Sequence, residues 1–153
     1  MPAAPITSRE EFEHTYVLRQ DRRVEFGEVD MLRHVNNARY VYWAESIRSV
    51  YLAEIIGQDI WGNAGMILAR HDMSYDAMIK YRDDILVGGR ISRMGKKSFD
   101  FETCVWHPEL NKQAYLATAV LVAFDYQANA SIAIPDDWRN RITAYERIAP
   151  LSS

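Results

Sequence analysis

One stretch of the sequence, residues 38–56, limits most strongly what this chain can fold into. Its apolar side chains recur at the three- or four-residue spacing of an α-helix, and others widen that face. Asn36 and Asn37 suit the N-cap before it, and Gly57 suits the C′ position after it. At 1.5 Å per residue this helix would be about 28 Å long. A helix so long and so broadly apolar predicts that other structure encloses it.

The residues that follow predict antiparallel strands. Apolar and polar side chains alternate there, which is typical of strands with one buried face, and Ile67, His71 and Tyr75 share that face in the first strand. Short connections at 95–97 and 107–111 make neighbouring strands antiparallel. The predicted strands after the helix are 67–75, 85–91, 99–105 and 113–125.

Two further elements flank these. A strand is predicted over 15–26, and a short helix capped by Asp136 or Asp137 is predicted after Pro135. Residues 1–14 are interpreted as a loose polar arm and residues 15–148 as one domain. Only the long helix is large enough to cover the apolar face of the sheet. The predicted fold class is therefore α+β, an antiparallel sheet wrapped around one long central helix.

Composition excludes several classes of function. The chain has 153 residues, of which 48% are hydrophobic, so one domain can bury its own core. A net charge of -3 gives no general positive field for nucleic acid or for a membrane surface. The single Cys104 excludes an intrachain disulfide and favours a cytoplasmic location. The apolar run 115–124 is too short to span a bilayer, and no spacing of His and Cys indicates a metal site.

The residues that suit catalysis are densest between positions 26 and 40. Asp30, His34, Asn36 and Asn37 form a predicted loop that runs directly into the helix. One interpretation is structural, with an Asx turn at Asp30 and two helix-capping amides. The other is catalytic: the first N–H groups of a helix can bind an oxyanion, and a carboxylate across from them can act on a carbonyl.

The same segment resembles a known family. The string Phe26–Asp30, followed by His34–Asn37 and Tyr40, is similar to the signature of hotdog-fold acyl-CoA thioesterases of the 4-hydroxybenzoyl-CoA thioesterase type. Residues 81–84 and 95–99 also fit, so the resemblance covers nearly the whole chain. It implies the hotdog fold, which agrees with the helix and sheet expected above.

The resemblance also implies roles for individual residues. Asp30 would be the catalytic carboxylate, acting as a nucleophile or as a general base toward water. The backbone N–H of Asn37 would polarise the thioester carbonyl. His34 would contact the substrate or the catalytic water, while Asn36 and Tyr40 would line or brace the same site.

Coenzyme A, as part of the substrate, carries phosphates that need basic partners, and no separate cofactor is expected. The densest basic cluster of the later half is Arg90, Arg93, Lys96 and Lys97, and by resemblance Ser98 would bind the pantetheine arm. The alternative is a solvated turn whose charges discourage pairing between sheet edges.

Other candidates have structural explanations. Glu45 lies about 12 Å along the helix from Asn37, too far to share its site within one subunit, and an ion pair with Arg48 is the simpler role. Cys104 and His107 point to opposite faces of their strand, which argues against a nucleophile pair. His71 is interpreted as an interior or interface histidine. Hotdog hydratases rank lower, because their Asp and His pattern is not visible.

The sequence therefore predicts a cytoplasmic thioesterase that acts on acyl-CoA or on an acyl-carrier-protein thioester. By resemblance it would form a homodimer or homotetramer, with the acyl group between the helix and the partner subunit. The alternative is a non-catalytic hotdog module that binds acyl-CoA or only assembles with partners.

Overall fold

The computed structural model describes residues 4–57 and 62–152. Its helices are Arg9–Thr15 (α1), Asn37–Val50 (α2) and Asp136–Tyr145 (α3), and α2 continues as a π-helical turn over Tyr51–Ile56. Its strands are Leu18–Arg23 (β1), Ala64–Tyr75 (β2), Asp84–Met94 (β3), Ser98–His107 (β4), Lys112–Asp125 (β5), Ala130–Ser131 (β6) and Leu151–Ser152 (β7). No helix among the described residues is both long and apolar enough to cross a membrane.

The strands form one sheet that curls around α2. Its order is β1-β3-β4-β5-β2 with antiparallel neighbours, while β6 pairs with β5 and β7 lies parallel to β3. The buried side of α2 packs against the inward side chains of β3, β4 and β5, such as Ile91, Phe101 and Leu121. The predicted α+β hotdog architecture is confirmed.

Local signals explain the bounds of the central helix. The Asn36 side chain accepts the Ala38 N–H at 3.0 Å, so Asn36 is the N-cap and Asn37 is the first helical residue. At the other end Gly57 adopts a left-handed conformation with φ +71°, which favours glycine and stops the helix. The helix predicted over 38–56 is thus correct to within one residue at its start.

The N-terminal arm differs from its prediction. Instead of a loose segment it contains α1, which is capped by the Ser8 side chain and has Glu10 and Glu11 in its first turn. Phe12 is fully buried against the sheet. The following strand, β1, is shorter than the predicted 15–26. Thr15 is the last residue of α1, and Phe26 is the first residue of a 3₁₀ turn, Phe26–Glu28. The domain boundary at residue 15 stays a prediction.

Strand β2 is a second correction. A bulge between Leu68 and Arg70 shifts its register, so Leu68, opposite Leu121, shares a face with His71, opposite Ala119. Ile67 is therefore not on the face predicted for it. The strand lies at the sheet edge and most of its residues are exposed, whereas a buried face was predicted. His71 is half-buried, and burial together with the Arg48 guanidinium lowers its pKa.

Two adjacent glycines in the middle of β3 leave space for close packing on both faces of the sheet. A Cβ on Gly88 would lie 2.6 Å from Tyr16 Cγ, just after α1, and one on Gly89 would lie 2.9 Å from Ile47 Cγ1 on α2. Neighbouring residues of a strand face opposite sides. The two glycines thus let α1 and α2 approach the same point of β3 from both faces.

Candidate active site

The loop before α2 is a small hairpin that carries Asp30 to the start of the helix. Val29 pairs with Val35, and the Asp30 N–H donates to the His34 carbonyl at 3.2 Å. Arg33 closes the turn with a left-handed φ of +67°. As a result the Asn36 side-chain amide donates to Asp30 Oδ2 at 3.2 Å.

The Asp30 carboxylate has a structural role and spare capacity. Its Oδ1 accepts the Leu32 N–H at 2.8 Å, which is the Asx turn of the structural interpretation. Its Oδ2 accepts only the Asn36 amide among the described residues. A carboxylate has about four lone-pair positions, so this half-buried group can still act on a ligand.

The helix start leaves one backbone donor available. The Asn36 side chain accepts a hydrogen bond from the Ala38 N–H, and the Asn36 carbonyl accepts one from the Arg39 N–H at 2.9 Å. Within residues 4–57 and 62–152 no acceptor meets the Asn37 N–H. This N–H stands at the positive end of the helix dipole, where an oxyanion is stabilised.

Glu28, which sequence reasoning missed, fastens the loop to the helix. It is only 7% exposed, and its Oε1 accepts the Trp43 indole N–H at 2.8 Å and the Arg22 guanidinium at 2.5 Å. Its backbone carbonyl accepts the Asn36 N–H at 2.9 Å. Burial alone would raise the pKa of Glu28, but the hydrogen bonds from Glu25, Trp43 and Arg22 outweigh it and lower the pKa.

A cleft of about 550 Å³ opens at this point. Four of the predicted site residues line it: Asp30, His34, Asn37 and Tyr40. Asn36 stands behind them through its contact with Asp30. The lining that was not predicted is Leu32, Val35, Tyr75, Asp76, Ala77 and Met78.

Most of these missed residues come from the end of β2 and the segment after it. The sequence marks Tyr75 as the end of a strand, but no periodic signal tells which strand end meets the helix start. Asp76 brings a second carboxylate to the cleft, and its Oδ2 accepts the Gln113 side-chain amide at 2.6 Å. A polar residue directly after a strand was the one available signal.

The predicted basic cluster is not a single surface group. Arg90 is 7% exposed and donates to the Ile148 carbonyl at 3.1 Å, so it lies in the interior. Arg93 binds both oxygens of Asp100, at 2.7 and 2.8 Å. The remaining members, Lys96 and Lys97, are exposed on the turn, and Ser98 beside them is half-buried.

None of these five residues lines the cleft. Lys97 donates to the Ser131 carbonyl at 3.1 Å. Among the described residues, this turn and the cleft are therefore separate surfaces. The role of Lys96, Lys97 and Ser98 toward coenzyme A stays a prediction.

The other candidates have the structural roles expected of them. Glu45 is exposed and lies 3.8 Å from Arg48. Cys104 is fully buried, and burial raises the pKa of its thiol well above the ordinary value. His107 Nε2 lies 2.9 Å from Asp83 Oδ2. In the described part of the chain no three His, Cys, Asp or Glu side chains are grouped to hold a metal ion.

The family model of the thioesterase-like superfamily matches residues 24–142, a range that contains every residue of the cleft. The chain belongs to the thioesterase-like superfamily. No match was found among curated proteins.

Solved structures of thioesterases and of a thioesterase superfamily protein share the fold. A thioesterase from Thermus thermophilus, solved with coenzyme A and zinc, is 28% identical with a TM-score of 0.76, over 86% of this chain and 96% of that one. A thioesterase superfamily protein from Jannaschia sp. CCS1 is 22% identical with a TM-score of 0.78, over 98% of both chains. A 1,4-dihydroxy-2-naphthoyl-CoA thioesterase from Synechocystis is 15% identical with a TM-score of 0.71, over 81% of this chain and 93% of that one.

Proposed function

We propose that this thioesterase-like protein hydrolyses acyl-CoA to a free carboxylic acid and coenzyme A. The observation that carries the proposal is that the Asp30 carboxylate and the available Asn37 N–H line one cleft. A thioester carbonyl held between them would meet a donor at its oxygen and a carboxylate at its carbon. Membership of the superfamily and the coenzyme A bound by the Thermus protein support the same substrate class.

The reaction follows from these two groups. The Asn37 N–H and the helix dipole stabilise the negative charge that grows on the carbonyl oxygen. Asp30 either takes a proton from the attacking water or attacks the carbonyl carbon itself, forming a mixed anhydride that water then hydrolyses. In both routes the carbon–sulfur bond breaks, and the thiolate leaves readily because a thiol of this kind has a pKa of about 8.5.

The surrounding residues have supporting roles in this proposal. Asn36 holds Asp30 by a direct hydrogen bond, while His34 and Tyr40 line the cleft beside it. The exposed edge of β2 supports the predicted homodimer or homotetramer, because a second copy could cover it. Assignment to the 4-hydroxybenzoyl-CoA thioesterase type is part of the proposal and rests on the motif from Phe26 to Tyr40.

Thiol release from a panel of acyl-CoA esters tests the function. Because Asp30 supplies the base or nucleophile, Asp30→Asn should lower kcat by about 10²–10⁴-fold. Asp21→Asn is the matched control, since Asp21 is an exposed strand residue outside the cleft. Wild-type rates in Asp30→Asn would remove Asp30 from the mechanism.

Two further outcomes separate the alternatives. If the wild type binds acyl-CoA but releases no thiol from any ester, the protein is a non-catalytic binding module. Faster release from acyl-carrier-protein thioesters than from acyl-CoA would change the substrate class and leave the chemistry intact. A single turnover in heavy-oxygen water identifies the nucleophilic route when label enters Asp30, because water that opens the mixed anhydride at the Asp30 carboxyl carbon leaves its oxygen there. General-base catalysis instead puts all label in the product acid.

A further inference from the structure

Three tyrosine rings form one packed unit beside the cleft. Tyr40 lies 5.2 Å from Tyr75 and 5.1 Å from Tyr115, and Tyr75 lies 5.4 Å from Tyr115, measured between ring centroids. Each ring of this tyrosine triad therefore contacts both of the others. Tyr40 and Tyr75 line the cleft, while Tyr115 lies behind them. The rings come from α2, β2 and β5, so the triad closes the cleft where helix and sheet meet.

Two of the three rings are held firmly. Tyr40 is 4% exposed, Tyr115 is 0% exposed, and Trp43 packs 5.0 Å behind Tyr40. Burial raises the pKa of Tyr40 to about 12, more than the nearby Ile79 backbone lowers it. A ligand cannot pass these rings without entering the core.

Tyr75 differs from its two neighbours. It is 46% exposed, and among the described residues its hydroxyl has two weak partners, the Asn37 carbonyl at 3.5 Å and Met73 Sδ at 3.1 Å. The contact with Asn37 places this hydroxyl at the first residue of α2. Tyr75 is thus the member of the triad that stands next to the proposed oxyanion donor and can be removed without opening the core.

We propose that Tyr75 limits the length of the acyl group, so that the site takes compact acyl groups rather than long chains. This inference rests on the proposed function. An acyl group whose carbonyl oxygen meets the Asn37 N–H reaches the Tyr75 ring with its next atoms. A longer chain must turn away from the triad toward Leu32 and Met78, so its added methylenes gain no contact with the buried Tyr40 and Tyr115 rings.

The test measures binding, so that it does not depend on hydrolysis. Calorimetric titrations use S-(2-oxoalkyl) coenzyme A thioethers from 2-oxopropyl to 2-oxododecyl, which keep a carbonyl oxygen for the Asn37 N–H and cannot be hydrolysed. One buried methylene contributes about 0.8 kcal/mol, which is about fourfold in affinity. For the wild type, affinity should rise by this factor for the first methylenes and then level off. In Tyr75→Ala the rise should continue to longer chains, and in Tyr75→Leu it should stop in between.

Two variants control for other causes. Tyr75→Phe keeps the ring and should keep the wild-type length limit, because the limit comes from ring volume and not from the hydroxyl. Tyr42→Ala removes a tyrosine that is 61% exposed on α2 outside the cleft, and should leave the limit unmoved.

The outcomes separate this inference from the proposed function. A length limit that moves in Tyr75→Ala while no ester is hydrolysed would support the inference and contradict the thioesterase proposal. Hydrolysis by the wild type with the same length dependence in Tyr75→Ala and Tyr75→Leu would overturn the inference alone. Failure of every thioether to bind the wild type would overturn it as well.

Discussion

At the scale of single residues, Glu28 connects the folding of the loop to the geometry of the cleft. Its side chain binds Trp43 on α2 and Arg22 on β1, and its backbone carbonyl holds Asn36. Asn36 in turn holds Asp30. A buried carboxylate that contacts no ligand thus positions the proposed catalytic one through two hydrogen bonds.

Glu28→Gln should destabilise the protein, and the effect should depend on pH. Gln keeps an acceptor for Trp43 but loses the charge that pairs with Arg22, which should cost roughly 1–3 kcal/mol of unfolding free energy at neutral pH. Because folding lowers the pKa of Glu28, its stabilisation is present above the unfolded value of about 4.3 and is lost as pH falls through the lower folded value.

Urea denaturation of wild type and variant at several pH values checks this prediction. The difference in unfolding free energy should shrink as the solution is acidified. A difference that stays constant from pH 7 down to the acid limit would mean that the ionised form of Glu28 is not what stabilises the loop.

At the scale of elements, helix α2 joins two functions in one residue. Asn36 caps the helix with its side-chain oxygen and supports Asp30 with its side-chain nitrogen. The two roles use different atoms, so different substitutions can separate them.

Asn36→Ala removes both contacts, so it should lose about 1 kcal/mol of stability and also lower kcat. Asn36→Asp keeps the cap, since an aspartate oxygen also accepts the Ala38 N–H, but it places a second carboxylate beside Asp30. This variant should keep the contribution of the cap, lose some stability at neutral pH to repulsion between the two carboxylates, and lose activity. Thermal unfolding and thiol release measure the two effects. Equal activity in Asn36→Asp and wild type would show that the Asp30 contact does not matter.

The elements that the sequence predicted well are those whose signals are local. The helix over 38–56 has its period, its cap and its terminal glycine in adjacent residues, so its bounds were nearly correct. The cleft residues from Asp30 to Tyr40 also lie in one continuous segment. Their grouping could therefore be predicted before any tertiary contact was known.

What the sequence missed depends on contacts between distant segments. The basic cluster grouped Arg90 with Lys96 by spacing, but Arg90 lies among buried carboxylates from β4 and the end of α3. Tyr75 meets Asn37 only because β2 ends at the start of α2. The bulge after Leu68 has no signal in the alternation that it interrupts. In each case the deciding partner lies outside the local segment.

At the scale of the whole molecule, two buried carboxylates, from β4 and from the end of α3, lie beside β3. Glu102 accepts the Tyr16 hydroxyl, and Glu146 accepts the Tyr51 hydroxyl at 2.5 Å and the Ile91 N–H at 2.9 Å. The positive charge of Arg90 is close enough to lower the pKa of both carboxyls. Burial raises the pKa of each carboxyl above its ordinary value, more than these partners lower it.

Glu146→Gln should therefore gain stability relative to the wild type as pH rises. A raised folded pKa means that the proton is held more tightly in the folded state, so stability is greatest below the unfolded value of about 4.3 and falls as pH rises through the folded value. Gln keeps an oxygen for Tyr51 and Ile91 without a charge to bury. Chemical denaturation between pH 4 and pH 8 measures the unfolding free energy of both proteins. If the unfolding free energy of the wild type increased with pH relative to that of the variant, the prediction would be contradicted.

The close packing of α1 on the glycines of β3 also affects how the chain folds during its synthesis. Helix α1 is synthesised before the sheet, yet the surface it covers is built from Gly88 in β3, Trp106 in β4 and Leu116 in β5. A ribosome must add all of those strands before the surface that Phe12 packs against is complete. Helix α1 is thus held by strands that are made well after it, and a nascent chain stopped before β5 carries α1 without its complete docking surface.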